Sequence, residues 1–581
     1  MFKILSKEIG EYKKDTIMTP LFMVGEVAME CLIPAVMAIL IDHMYTESVT
    51  MVIRYGAILI TLALVSLYCG ASSARAGARA GAGFAKNLRK DLFYHVQEFS
   101  FKDIDDFSSS SLVTRLTSDV SSVQNAFQMI IRMAVRAPLM LIFSIVMALR
   151  INARMALIFF AIVPFLAIGL LAIFRTAHPI FRRIFKKYDA LNNSVQENVS
   201  GIRVVKSFVR EDYEIEKFNK ASEDVRANFV KAERIVALNN PLMMLAMYTA
   251  MLSVSYLGAK MIVESGATRL TTGELSSLTS YGIQILSSLM MLSMVFMMIN
   301  FSMEAANRIV EVLKRESSLT SPANGIKEVK DGSIRFDHVT FRYNERSKRR
   351  ALADINLDIK SGQTVGIIGG TGTGKTTLIQ LIPRLYDVSE GTLYVGGEDV
   401  RNYDLDALRN EVAVVLQKNV LFAGTIKENL RWGKPDATDE EIRRACVLAQ
   451  AEEFISSFPD GYDTFIEQGG ANVSGGQRQR LCIARALIAK PKILILDDST
   501  SAVDTHTESL IRAGFASDIP DTTVFIIAQR ISSVKDADRI IVLDDGKISG
   551  IGTHDELMAN NAIYQEVYES QNKGGDFDEP R

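Results

Sequence analysis

The run GGTGTGKTT, Gly369 to Thr377, has the spacing G-x-x-x-x-G-K-[ST] and follows the apolar run TVGIIG. Glycines at Gly369, Gly372 and Gly374 let backbone N–H groups turn inward around phosphate oxygens, with Thr371 and Thr373 between them. Lys375 sets a point charge at the outer phosphates, and Thr376 offers a hydroxyl to Mg²⁺. Thr377 continues into a helix whose N-terminal dipole favours the same anion. A second run, KILILDD (Lys492–Asp498), ends an apolar strand in a carboxylate, Asp497, suited to hold that magnesium. Gln417, the last residue of AVVLQ, is placed to touch both the metal and an attacking water. Taken alone, it would read as a surface glutamine. The third run, VSGGQRQR (Val473–Arg480), puts Ser474, Gly475, Gly476 and Gln477 at the start of a helix. There a hydroxyl and bare amides can be presented to a γ-phosphate. Together the three runs imply ATP and Mg²⁺ as cofactors.

These residues need a buried, largely parallel sheet behind them. From about residue 311 the chain has that rhythm: TVGIIG, AVVLQ, KILILDD, TVFIIA and RIIVLDD alternate with helical patterns. The half before it is different. Apolar stretches near 17–41, 51–73, 128–149, 155–175, 240–263 and 276–300 each approach the ~20 residues that a bilayer requires. The expected organisation is a membrane domain over 1–316, a turn-rich linker over 317–332, a nucleotide-binding domain over 333–570 and a polar, disordered tail over 571–581. The polar segments 75–127 and 176–236 read as helical extensions of the spans. They carry Arg75, Arg79, Lys86, Arg89 and Lys90, then Arg182, Arg183, Lys186 and Lys187. By the positive-inside rule both face the cytoplasm, and six spans then put both termini there. Arg150 and Arg154 oppose that assignment and are outweighed by the larger clusters. The loop 42–50, with Asp42 and Glu47, faces outward, and residues 2–14 suit a short amphipathic helix on the membrane surface. The net charge of −2 offers no basic excess for nucleic acid. The four cysteines have no metal-ligand spacing and read as reduced and structural.

The order P-loop, Gln417, SGGQ, aspartate-ended strand and SAVD resembles the ATP-binding cassette (ABC) transporters. The six spans with long extensions look like an ABC exporter half-transporter, as do SSLVTRLTSDV (Ser110–Val120) and ENVSGIRVVKSFVRE (Glu197–Glu211). The resemblance implies an all-α six-helix transmembrane domain followed by an α/β P-loop domain. The latter would have a RecA-like core with helical and antiparallel β subdomains. It also implies a second half-transporter as partner, with each ATP between one chain's P-loop and the other's SGGQ. Tyr343 would stack on adenine, and Asp504 would reach across the dimer. The expected setting is a multi-pass protein of a bacterial plasma (inner) membrane.

Two positions depart from the family's pattern. A glutamate, the general base, normally follows the strand aspartate; here it is Asp498, one methylene shorter. A switch histidine normally follows TVFIIA; here it is Gln529. Both fall in one catalytic site, whereas SGGQ is intact. The expectation is a heterodimeric exporter in which this chain's own site binds ATP with little turnover and its SGGQ completes the partner's site. The alternatives are a homodimeric drug or lipid exporter with slow hydrolysis, and a nucleotide-sensing regulatory subunit that transports nothing. In the membrane half, Glu26 and Glu30 share one face of the first span. They read either as contacts for a cationic amphiphile or as internal partners of Arg132 and Arg136. Met294 and Met298, in a methionine-rich sixth span, suit a hydrophobic small-molecule substrate or plain packing. Multidrug-type export is the cargo class this hints at.

Overall fold

Among the described residues six helical stretches are long and apolar enough to cross a membrane: Phe2–His43, Val49–Gln97, Ser109–Ile151, Ala153–Phe181, Glu211–Ser265 and Thr272–Lys314. Each expected span lies within one of them, in order. The computed structural model describes residues 1–44, 49–344, 349–499 and 502–573. Its first unit comprises Met1–Gln97 and Ser109–Arg315; its second comprises Glu98–Ser108 and Glu316–Arg581.

Small residues set the closest approaches in the first unit, as van der Waals packing between apolar helices requires. A Cβ at Gly273 would collide with the Ala38 carbonyl, so the first and sixth helices can touch there only through a glycine. The Tyr281 hydroxyl donates to the Cys31 carbonyl at 2.7 Å nearby. Asp42, expected in an outward loop, instead ends the first helix. It accepts bonds from the Thr271 hydroxyl (2.6 Å) and the Gly273 N–H (2.8 Å), satisfying a donor at the start of the sixth helix. Glu47 lies outside the described residues.

The polar extensions are helical but interrupted. Val49–Gln97 stops short of a separate helix, Phe101–Phe107, which opens with a Ser100–Asp103 capping box and closes at Ser108 with φ 60°. The second extension breaks at Gly201 and at Val209, which has φ 51°. Caps and left-handed residues end helices whatever the polarity pattern around them. The N-terminal stretch is also broken: Phe2–Leu5 is α-helical, Ser6–Tyr12 is a 3₁₀ segment, and Gly10 at φ 48° sits inside it. All four cysteines are free thiols; three are buried and Cys69 is half-buried.

In the second unit a six-stranded sheet runs in the order Lys547–Gly552, Arg539–Asp544, Thr364–Ile368, Thr523–Ile527, Ile493–Asp497, Val412–Val415. All neighbours are parallel except the first pair. Every residue of Ile493–Asp497 and Thr523–Ile527 is buried, which is why both read as unbroken apolar runs rather than alternating ones. A four-stranded antiparallel sheet runs in the order Leu352–Ile359, Ile334–Phe341, Glu390–Val395, Glu398–Asp399, and the chain visits Thr364–Ile368 of the larger sheet between its second and third strands in sequence. Helices Asp439–Leu448 and Gly475–Ile488 bring Cys446 and Leu481 into one apolar cluster with Ile455. The helix Phe101–Phe107 belongs to this unit: Asp105 accepts a 2.7 Å bond from the Tyr386 hydroxyl, and Asp103 accepts one from Ser318 N–H at 2.9 Å. The expected tail begins too early. Gln571 to Lys573 complete the helix Ala562–Lys573, and residues 574–581 lie outside the described residues.

Candidate nucleotide-binding site

The parallel register aligns Asp497 with Ile527, and Ile527 with Ile367. Three functional segments therefore leave the sheet at one edge: the P-loop after Ile368, Asp497 and Asp498, and Gln529 two residues past Ile527. Ligands of open α/β sheets bind at such carboxyl edges.

Gly369, Gly372 and Gly374 have φ 159°, 81° and 99°. A Cβ at Gly374 would meet the Ala351 carbonyl at 2.6 Å, so only glycine fits the turn. The Thr373 hydroxyl closes the loop on the Gly370 carbonyl at 2.9 Å, and Thr371 is exposed at its tip. The Lys375 ammonium donates to the carbonyls of Gly369 and Gly370, each at 2.7 Å. Burial pushes its pKa down, with Asp497 and Asp498 opposing that shift. A cation held by backbone carbonyls beside a helix N-terminus is the electrostatic complement of a polyphosphate. The cavity above the loop is about 420 Å³ and is lined by Tyr343, Gly372, Lys375, Thr376 and Gly546 among others.

The Thr376 hydroxyl lies 3.3 Å from Asp497 Oδ1. The two hard oxygens converge on one spot, so the pair fits Mg²⁺. Burial pushes the Asp497 carboxyl above the usual range, and the Asp498 charge adds to that; the Thr376 hydroxyl and Lys375 oppose it. Asp498 has φ 47°, a left-handed position that aspartate adopts more readily than most residues. Its carboxylate accepts a bond from Gln529 Nε2 at 3.0 Å. Burial raises its pKa, while bonds from Gln417 and Gln529 lower it. Gln417, Asp498 and Gln529 thus form one cluster beside the P-loop.

Tyr343 borders the cavity, about half exposed, with its hydroxyl bonded to the Thr377 hydroxyl at 3.0 Å. Ser474 caps the helix Gly475–Ile488 in a capping box with Gln477. Among the described residues none of Ser474–Gln477 lines the P-loop cavity. Their neighbour is Ala502: a Cβ on Gly476 would meet its carbonyl at 2.8 Å. Asp504 caps the next helix by accepting from Thr507 N–H at 2.9 Å.

Two supports of the site went unread in the sequence. Gly546, in the hairpin turn after Asp544, donates its N–H to the Thr373 carbonyl at 3.2 Å and so buttresses the P-loop. The D-D-G triplet was a legible turn signal. Gln571 donates to the Gln529 carbonyl at 2.7 Å and accepts from Ile531 N–H at 2.9 Å, fixing the switch loop from both sides. Nothing in the local sequence around Gln571 signals that role.

In the first unit Arg136 bridges both acidic residues of the first helix. It donates to Glu26 Oε1 and, at 2.9 Å, to each oxygen of Glu30. Arg132 is not part of this bridge. Glu26 is 8% exposed, and its Oε2 has no partner among the described residues. Met294 is exposed and Met298 half-buried.

A buried parallel sheet with a P-loop at its carboxyl edge, following six membrane-length helices, defines a membrane protein with a nucleotide-driven cassette. Comparison with known proteins gives the family. Residues 16–302 match the ABC transporter transmembrane region, and residues 352–501 match the ABC transporter domain. The chain is 37% identical over 552 residues to the ABC transporter ATP-binding protein YfiB of Bacillus subtilis, covering 95% of each chain. It is 34% identical over 495 residues to an ATP-dependent lipid A-core flippase of Desulfotalea psychrophila, covering 85% of each. The structure of a bacterial Atm1-family ABC exporter with ATP bound superposes with a TM-score of 0.82 at 23% identity, over 96% of this chain and 98% of that one. The chain belongs to the ABC transporter family, as a multi-pass membrane protein with its transmembrane region fused to its cassette. Transporters of this family act as dimers in the membrane.

Proposed function

We propose that this chain is one half of a heterodimeric ABC exporter of hydrophobic or amphiphilic small molecules, with a hydrolytically impaired site of its own. The observation that carries the reading is the Asp498–Gln529 hydrogen bond, 3.0 Å long, in the place of a glutamate and a histidine. A general base needs a carboxylate that reaches the water and is free to take its proton. Asp498 is short, and side-chain amides of Gln417 and Gln529 engage it. An amide cannot gain a proton as an imidazole can. Binding remains well provided: Lys375, Thr376 and Asp497 would hold Mg·ATP, and Tyr343 would stack on its base. Bound magnesium would neutralise charge developing on the phosphates.

The intact Ser474–Gln477 helix start supports the second half of the proposal. Ser474 and Gly475 are exposed, Gly476 and Gln477 are half-buried, and none of the four lines the P-loop cavity of its own chain, which leaves the helix start available to a partner's ATP. Exposed apolar side chains also await a cover, among them Phe208 and Val209 on one unit and Phe422 and Trp432 on the other. A homodimer with slow hydrolysis keeps one specific support: burial raises the Asp498 pKa and makes it a better base than a free aspartate. The flippase among the relatives keeps lipid cargo in view.

The test is to purify the tagged chain from its native membrane and identify what accompanies it. The proposal expects a second half-transporter with glutamate and histidine at the matching positions, and ATP-dependent uptake of a cationic dye by inverted vesicles of the pair. A chain that exports as a pure homodimer contradicts it.

A further inference from the structure

An apolar cavity of about 280 Å³ lies beneath the N-terminal segment. Phe2, Leu5 and Ile9 line it from above, and Phe84, Phe127 and Met303 from three different helices. Phe84 and Phe127 stack at 4.6 Å and make one wall rigid. The two hydroxyls in the lining are already used: Ser6 donates to the Lys3 carbonyl and Ser302 to the Ser122 carbonyl. The cavity therefore offers a ligand no free hydroxyl, and its chemistry fits hydrocarbon alone.

Its position and rim narrow the occupant. The walls sit where the third span begins, where the sixth ends and just beyond the second, all on the side that the basic clusters assign to the cytoplasm. That is the depth of headgroups and upper acyl chains. The mouth is apolar too, with Phe2 and Ile130 exposed. Lys3 and Lys7 of the same segment, and Lys13 and Lys14 at the start of the helix that follows it, are exposed, and none of the four lines the cavity. The acidic residues between them are engaged, Glu8 by burial and Glu11 by an ion pair with Lys86 at 3.6 Å. The rim is thus net basic over an apolar slot.

We propose that this cavity binds one acyl chain of an anionic phospholipid of the cytoplasmic leaflet, with its phosphate held by Lys3 and Lys7. The site is separate from the nucleotide site and from the Glu26–Arg136–Glu30 cluster, and it stands whether or not the exporter is heterodimeric. It makes the N-terminal segment a lipid-clamped strap across the second, third and sixth helices.

The test uses the full chain in nanodiscs containing phosphatidylglycerol with a photoactivatable acyl chain, read by peptide mass spectrometry. Labelling should concentrate on peptides containing Phe127 and Met303, above the level at the exposed second-span residues Leu67 and Tyr68. Two variants on different walls, Ala126→Phe and Ala306→Phe, fill the cavity and should each cut that labelling about fivefold or more. Monodisperse elution, a native far-UV helical signal and a native thermal aggregation midpoint show that the membrane unit of either variant is folded, and two walls guard against one failing. Lys3→Gln with Lys7→Gln should lower labelling about fivefold or more in phosphatidylglycerol and leave phosphatidylcholine labelling unchanged. Labelling spread evenly over lipid-facing positions and indifferent to the filling variants overturns the proposal. So does displacement of the label by a cationic dye, which would make the cavity part of the transport route. Equal labelling by both lipids, unaffected by the lysine substitutions, overturns the anionic assignment.

Discussion

Restoring the two residues that depart from the family should restore turnover. Asp498→Glu adds one C–C bond of about 1.5 Å, which carries the carboxylate toward a water beyond the reach of aspartate. Misplacing a catalytic group by about 1 Å can cost about 10²-fold in rate, or roughly 2.7 kcal/mol of barrier. The gain should not come from Asp498→Glu alone. Gln529 Nε2 holds the present carboxylate at 3.0 Å, and a longer side chain leaves that amide mismatched. The pair is in contact, so the substitutions should couple by about 0.5–3 kcal/mol. The expected outcome is a modest rise for Asp498→Glu, a similar or smaller one for Gln529→His, and about 10²-fold for the two together. The intact SGGQ means that a homodimer of the double variant contains complete composite sites. Position 498 has φ 47°, where aspartate is better tolerated than glutamate, at a cost of about 1 kcal/mol. A fall of about 2–4 °C in the cassette's melting temperature should therefore accompany the gain. The assay is steady-state phosphate release in nanodiscs, with thermal melting in parallel. A double variant no faster than the native chain, though folded and ATP-bound, refutes the reasoning.

Three further outcomes follow from the geometry. Asp497 must be ionised to hold magnesium, and burial raises its pKa. The Mg²⁺-dependent part of ATP affinity should strengthen as pH rises through that raised value and fade on acidification at a higher pH than for a free aspartate; titration calorimetry with and without Mg²⁺ reads it. Gln571→Ala removes two hydrogen bonds to the switch loop, costing about 1–3 kcal/mol; amide exchange should rise at Gln529–Ile531 and not in the P-loop. Arg136→Ala strands two carboxylates in the membrane unit and should cost about 3–5 kcal/mol. Glu26→Gln, Glu30→Gln and Arg136→Met together should recover most of that loss, measured by thermal aggregation in detergent.

What the sequence made legible follows from how each signal is encoded. The P-loop, Asp497 and SGGQ are contiguous strings whose chemistry depends on local backbone shape, so they could be read directly. The spans follow from length and hydropathy, which the bilayer imposes over some twenty residues at a time. The breaks in the extensions depend on single caps such as Ser100 and single left-handed residues such as Val209, which a polarity pattern averages away. The sequence offered Arg132 and Arg136 together as partners of Glu26 and Glu30, beside a substrate role; Arg136 alone bridges them, because the rotation of the third helix is set by packing. Gln571 is 42 residues from Gln529, and only the tertiary fold brings the two together. The composite character of the ATP site came from the family resemblance, because no spacing within one chain can show a contact between two.

The central claim is tested most directly by purifying the native chain alone in lipid nanodiscs, measuring ATP binding, and then measuring steady-state hydrolysis. The expected result is bound nucleotide with almost no turnover. Brisk turnover that Asp498→Asn abolishes would contradict the account and make this chain a self-sufficient homodimer with aspartate as its base.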